Sequence, residues 1–288
     1  MRRIMSYLIV LVLCCTLTAS AHETYVRPIS GWANLDDTVF LPLGSGHSAA
    51  STELPVGIIN ITVVGPSGDE ILDDQGAIDG FWTVYNFNLA EPGLFVVDGY
   101  HSEGAWTRIV TAPPTEGIWE HNYVDDIDFD SMDKAEWADD WYVEKSYVKH
   151  CSVKAFVAGP EADFSKASEP VGQLLEIVPL DNITAVGEGD FQFQVLFNGE
   201  PFSGADIWAV KVGDDSWVES VTDDEGKAVL NLTSASDLDE WIVKSITGMD
   251  TRVMDYVDQP RGDASSEKTY VGPSYITALT LRTDYVAE

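Results

Sequence analysis

The chain has five histidines, His22, His47, His101, His121 and His150, and no histidine or cysteine follows Cys151. A transition-metal site built from imidazole or thiolate donors therefore belongs to the first half of the chain. His22 is the most informative of the five. It follows Ala19-Ser20-Ala21, a small-x-small tripeptide of the kind cut by leader peptidases. Cleavage after Ala21 makes His22 the first residue, and its α-amine and imidazole Nδ1 can then grip one ion together. An α-amine has a pKa near 8, so freeing it of its proton at neutral pH costs little. One further imidazole completes a T-shaped set of three nitrogens, which suits Cu(II) or Ni(II). His47 is the second candidate. It ends Gly44-Ser45-Gly46-His47, where two glycines allow unusual backbone angles after an apolar strand. His101, at the end of a strand, and His121, in Trp119-Glu120-His121-Asn122, are the candidates to complete the shell. His150 reads as structural or solvent-facing. Cys151, among Val148, Val153, Ala155 and Val157, reads as a small buried hydrophobe.

These donors need a scaffold and a compartment. Met1-Arg2-Arg3 is basic, Ile4 to Leu17 is almost wholly apolar, and Ala19-Ser20-Ala21 follows. That order predicts a signal peptide over residues 1–21 and export to the periplasm, the cell surface or the medium. The apolar run is shorter than the roughly 20 residues of a spanning helix, and no later segment is long enough, so no direct membrane insertion is expected after cleavage. The formal net charge is −32, and it becomes more negative still when Arg2 and Arg3 leave. Such a surface excludes nucleic acid as a partner, because phosphate binding needs a basic face, and it attracts cations. With Cys151 the one cysteine after the leader, neither an intramolecular disulfide nor a cysteine-based zinc site is expected.

The remainder reads as short β-type runs punctuated by Gly, Pro, Asp and Asn. Gly57 to Gly65, Phe81 to Phe87 and Gly93 to Tyr100 are strands of a first, β-rich domain over residues 22–158. One short amphipathic helix is expected at Ser131 to Tyr147, from Trp137 and Trp141 at i,i+4 spacing. Residues 159–170, with Gly159-Pro160 and Glu169-Pro170, read as a linker. A second series fills residues 171–288. Its Asp190 to Phe197 alternates with period two, and Asn198-Gly199 is a hairpin turn. The fold class is therefore mainly β, with two domains, the second an immunoglobulin-like or transthyretin-like β-sandwich.

Other chemistry finds little footing. There is no G-x-S-x-G elbow, H-E-x-x-H pair or phosphate-binding glycine loop. The acidic run Asp125 to Asp133 is no EF-hand: counted from Asp126, the sixth and twelfth positions hold Ser131 and Trp137 rather than Gly and Glu.

Several segments resemble a family with a domain of unknown function whose members are often described as the periplasmic component of nickel or cobalt ABC-type uptake. The start Ala21-His22-Glu23-Thr24-Tyr25-Val26-Arg27-Pro28 is similar to its opening, and Gly46-His47 with Ser51-Thr52-Glu53 to its Gly-His region. Gly172-Gln-Leu-Leu-Glu-Ile-Val-Pro179 resembles the start of its second domain, and Thr222-Asp-Asp-Glu-Gly226 a turn within it. The chain departs from the pattern at Ser48-Ala49-Ala50, where aromatic residues or proline are usual. The resemblance implies an extracytoplasmic metal-binding component of nickel or cobalt uptake with a membrane transporter as partner; the nitrogen donors add Cu to the candidate ions, and whether the chain is an enzyme stays open. A histidine-brace copper oxidase and a metal-free adhesion module are the two alternatives.

Overall fold

In the computed structural model the described residues are 23–46, 54–55, 59–72, 76–111, 117–122, 141–214, 217–247 and 273–286. The first half forms β1 (Glu23–Val26), β2 (Thr38–Gly46), β3 (Leu54–Pro55), β4 (Asn60–Gly65), β5 (Gly68–Ile71), β6 (Ala77–Asp79), β7 (Trp82–Asn88), β8 (Leu94–Thr111), β9 (Gly117–Asn122) and β10 (Trp141–Ala158). The second half adds β11 (Leu175–Pro179), β12 (Asp190–Phe197), β13 (Glu200–Pro201), β14 (Asp206–Lys211), β15 (Trp217–Val221), β16 (Lys227–Asn231), β17 (Glu240–Thr247) and β18 (Pro273–Arg282). Two 3-10 turns, Phe164–Ser168 and Ile183–Ala185, are the helical elements among the described residues. The fold is mainly β.

The strands form three sheets. A five-stranded sheet runs β1-β2-β7-β6, with β3 on β2. A four-stranded sheet runs β11-β12-β13, with β16 on β12. Between them lies a nine-stranded sheet, β15-β14-β17-β18-β10-β8-β4-β5, with β9 on β8. This middle sheet draws on both halves of the chain, which meet where β10 and β18 pair in parallel from Val148↔Pro273 to Ala155↔Thr280.

Strand β10 faces a core on each side, as period-two alternation requires of a central strand. Val153, Ala155 and Val157 pack with Leu41, Leu43, Ile61, Tyr85 and Phe87 under the five-stranded sheet. Phe156 and Ala158 pack with Ile177, Phe191, Phe193, Ile207 and Leu281 under the four-stranded sheet. Residues 159–170 are tied to this second core, since Ala167 is buried in it. Gly99, in the middle of β8, is required by contact: a Cβ there would lie 2.5 Å from Ile61 and 2.7 Å from Val153.

The Gly172 to Pro179 motif now has a physical reason. Glu176 Oε1 accepts from Lys154 Nζ at 2.7 Å and from the Val171 N–H, and Oε2 accepts from the Gly172 and Gln173 N–H groups. Gln173 in turn donates to Asp98 and to the Val153 carbonyl. One carboxylate thus folds the entry to β11 around itself and fastens it to β10.

Two expectations need comment. The i,i+4 spacing predicts a helix to Tyr147, but Trp141 to Tyr147 belong to β10, in register with Thr111 to Trp106 of β8. Long-range pairing, interrupted only by an irregularity between Val143 and Lys145, decides the backbone there and overrides a local tryptophan spacing. The rest of that segment, and the acidic run 125–133, lie outside the described residues.

Candidate functional site

The site forms where β8 and β10 face β1. His101 and Cys151 are register partners across β8 and β10. One step along, the register slips: His150 pairs with Ser102, but Lys149 pairs with Gly104. Glu103 is the extra residue of this β-bulge. Gly104 accommodates it at φ +74°, and its N–H is taken by the Ser102 hydroxyl at 3.2 Å. A bulge re-aims a side chain, and here it holds Glu103 between Lys149 and Cys151.

Both carboxylate oxygens are used. Oε2 accepts from Lys149 Nζ at 2.7 Å, and Oε1 accepts from Cys151 Sγ at 3.3 Å and from Thr24 Oγ1 at 3.2 Å. His101 Nε2 lies 3.1 Å from the same threonine oxygen and 3.8 Å from Glu103 Oε1. Thr24 has one hydroxyl proton, so with that proton on Glu103 the imidazole must donate from Nε2. His101, Glu103 and Cys151 together offer a nitrogen, an oxygen and a sulfur within 4.8 Å of one another.

The electrostatics follow from burial. Desolvation lowers the His101 pKa, with the Lys149 charge adding to it against Glu103, so the ring is neutral near pH 7. Burial pushes Glu103 upward, but the Lys149 charge, His101 and two hydrogen bonds outweigh it and hold the carboxyl below its usual value. Cys151 is pushed well above the usual thiol range, first by burial and then by the Glu103 charge, so it stays a thiol donor here.

Strand β1 brings Thr24 to this cluster. Tyr25 packs on Ile242 and Ala278 of the nine-stranded sheet, which holds β1 across it. Glu23 pairs with Gly46, and these are the sequence neighbours of His22 and His47. His22 and His47 themselves lie outside the described residues. His121 is in β9, opposite Trp106, five residues beyond His101 along β8, and the register does not set it beside His101. His150 is on the other face of β10, where its Nδ1 is 2.8 Å from the Tyr100 hydroxyl and its ring stacks on Tyr275 at 5.1 Å. The spacing rules single out neither Glu103 nor Cys151 as a donor. The one local hint is Glu103-Gly104, since an acid next to a strand glycine often marks a bulge.

A cavity of about 350 Å³ elsewhere is lined by Arg27, Trp82, Glu240 and Arg282 among others. Its guanidinium groups are already paired: Arg27 grips both oxygens of Glu240 at 2.9 Å, and Arg282 pairs with Asp284 at 2.7 Å. It is a charge-matched seam between the segment that follows β1 and strands β17 and β18, and offers no convergent donor set.

The chain belongs to the family described as domain of unknown function DUF4198, whose model matches residues 19–237. That description assigns no activity, and nickel or cobalt uptake is no part of it. No curated protein matches the chain by sequence. Similar solved structures include the D0-D1 domain of Intimin, at 12% identity over 88% of this chain and 97% of that one, with a TM-score of 0.19. A DUF4785 family protein from Legionella pneumophila is 10% identical over 90% of this chain and 56% of its own, with a TM-score of 0.25. A Ca2+-stabilized adhesin with which an Antarctic bacterium binds ice is 10% identical over 91% and 74%, at a TM-score of 0.20. At such TM-scores the fold rests on the strand pairings alone. Among the described residues no helix is long and apolar enough to cross a membrane.

Proposed function

From membership in a family without an assigned activity, we propose that this chain is an extracytoplasmic protein that binds a divalent transition metal, Ni(II), Co(II) or Cu(II). One observation carries the reading: Thr24, two residues after His22, is hydrogen-bonded into the cluster of His101 and Glu103. Two residues of extended chain would span about 7 Å, which would bring an N-terminal His22 within reach of the His101 imidazole. The pairing of Glu23 with Gly46 supports His47 as a further donor from the same edge. His22 would then hold the ion by amine and imidazole, with His101 and His47 adding nitrogens, an all-nitrogen set of the kind Cu(II) and Ni(II) favour. The strongly negative net charge of −32 draws cations to the protein, and a membrane transporter is the natural recipient of such an ion.

The reading is tested by titrating Cu(II), Ni(II) and Co(II) into protein that begins at His22 and into protein with two extra residues before it. Tight one-to-one binding that weakens by about tenfold or more in the extended form is expected, since a chelating donor is lost. Equal affinity in both forms sinks the role of the amine, and no binding in either sinks the metal reading as a whole.

A further inference from the structure

We infer that Cys151 and Glu103 are themselves metal ligands, so that with His101 they make a mixed nitrogen, oxygen and sulfur site under β1. This deepens the metal-binding reading above and rests on it: His101 is common to both, and the Glu103 carboxylate and Cys151 thiolate join it in place of an all-nitrogen set. A four-coordinate ion with ligand bonds of about 2.0–2.3 Å needs its donors roughly 3.3–3.8 Å apart. Cys151 Sγ and Glu103 Oε1 are 3.3 Å apart, and Glu103 Oε1 and His101 Nε2 are 3.8 Å apart. All three donors fall within 4.8 Å of one another. Two of the three pairs thus stand at ligand spacing, and the third is within a side-chain adjustment of it.

Lys149 is the positioning residue. It holds Oε2 at 2.7 Å, which turns Oε1 toward His101 and Cys151 and keeps the ammonium on the far side of the carboxylate. An outer partner that orients a ligating carboxylate in this way is a regular part of metal sites. Thr24 Oγ1, 3.1 Å from His101 Nε2 and 3.2 Å from Glu103 Oε1, covers the remaining side. On binding, the Cys151 S–H bond breaks, its proton passes to solvent, and the thiolate pair forms the bond to the ion. His101 gives up the proton that Nε2 shares with Thr24 and takes one from solvent at Nδ1, which frees the Nε2 lone pair for the ion. The ion's charge is met by the thiolate and by the Glu103 carboxylate. Sulfur and imidazole together select a borderline or soft ion of the cobalt-to-zinc series, and a site with one carboxylate oxygen is poor for calcium or magnesium. Cys151 is buried at 1% exposure, so the ion enters from the side of His101 and the start of β1.

Co(II) is the probe, because thiolate ligation to it gives a near-ultraviolet charge-transfer band that nitrogen and oxygen ligands do not. The expected result is one equivalent of Co(II) bound with that band, and in Cys151→Ser loss of the band with affinity reduced about tenfold or more. Co(II) bound by the wild-type protein without the band overturns the assignment of Cys151 and leaves the histidine reading standing. The absence of any Co(II) binding overturns the mixed site, while the Cu(II) and Ni(II) titrations above decide the histidine reading separately. The wild-type spectrum decides the question even if the variant fails to fold. Where Cys151→Ser folds, unchanged affinity in it also counts against the assignment.

Discussion

Strand β10 carries two lysine–glutamate pairs on opposite faces, Lys149–Glu103 and Lys154–Glu176, each closed at 2.7 Å. They differ in what else the carboxylate meets. Glu176 is 1% exposed and receives three backbone N–H groups besides its lysine, donors that cannot leave without unfolding the entry to β11. Glu103 is 11% exposed, and its second oxygen meets a hydroxyl and a thiol, with an imidazole 3.8 Å away. Those groups can turn or lose a proton while the backbone stays put. The same ion pair is thus a rivet on one face of the sheet and the fixed wall of an adjustable donor cluster on the other.

The largest effect should come from breaking the rivet. Glu176→Gln leaves the Lys154 ammonium buried without its charge partner and is expected to lower stability by about 3–5 kcal/mol in urea unfolding. A smaller loss would mean that Lys154 sheds its proton, toward which burial already pushes it.

Lys244 provides a third buried lysine, placed 6.0 Å over the Tyr25 ring. Burial lowers its pKa to about 8. The unfolded chain, with a lysine pKa near 10.4, binds more protons between these values, so this residue's contribution to stability rises as pH increases from about 8 toward 10.4. By linkage the difference amounts to about 3 kcal/mol. Lys244→Met should therefore be the more stable protein at pH 7, and its advantage in chemical unfolding should shrink toward pH 10. An advantage that stays constant with pH would show that the ammonium is comfortably solvated.

Glu103→Gln should cost less than Glu176→Gln, about 2 kcal/mol. The amide oxygen still accepts from Lys149, and the site edge admits water. Its cost to Co(II) affinity should exceed its cost to folding, and the reverse order would make this pair a second rivet.

The smallest effect is an acid one. The His101 pKa is lowered in the fold, so its share of stability is whole above about pH 6.5 and is lost as pH falls below that. The Glu103 pKa is also lowered, so its share is lost at more acid pH, below its ordinary value of 4.5. Melting temperature measured from pH 7.5 down to 5 should decline in the wild type and flatten in His101→Gln, while the Glu103 step remains at lower pH.

Much of the architecture was legible in the residues. The alternation of Asp190 to Phe197 and the turn at Asn198-Gly199 correspond to β12, its turn and β13. The helix expected from Trp137 and Trp141 does not cover Trp141 to Tyr147, where pairing with β8 decides the backbone. His101 reads from the sequence as a strand-end histidine, but β8 runs through it from Leu94 to Thr111. Cys151 was read as an inert hydrophobe, and its burial at 1% agrees, but burial alone does not reveal that a carboxylate waits 3.3 Å away.

What the chain determined by itself is local: where strands start and stop, and that every imidazole and thiol lies before residue 152. Those follow from side-chain periodicity and turn chemistry, which act over a few residues. Only the tertiary structure decided that Thr24, His101, Glu103 and Cys151 meet, across sequence gaps of 77 and 48 residues. That meeting depends on the register of β8 against β10, on one bulged residue, and on the lie of β1 across both. Each is set by cores on the two faces of the middle sheet, and a slip of one residue would turn the same side chains to the opposite face.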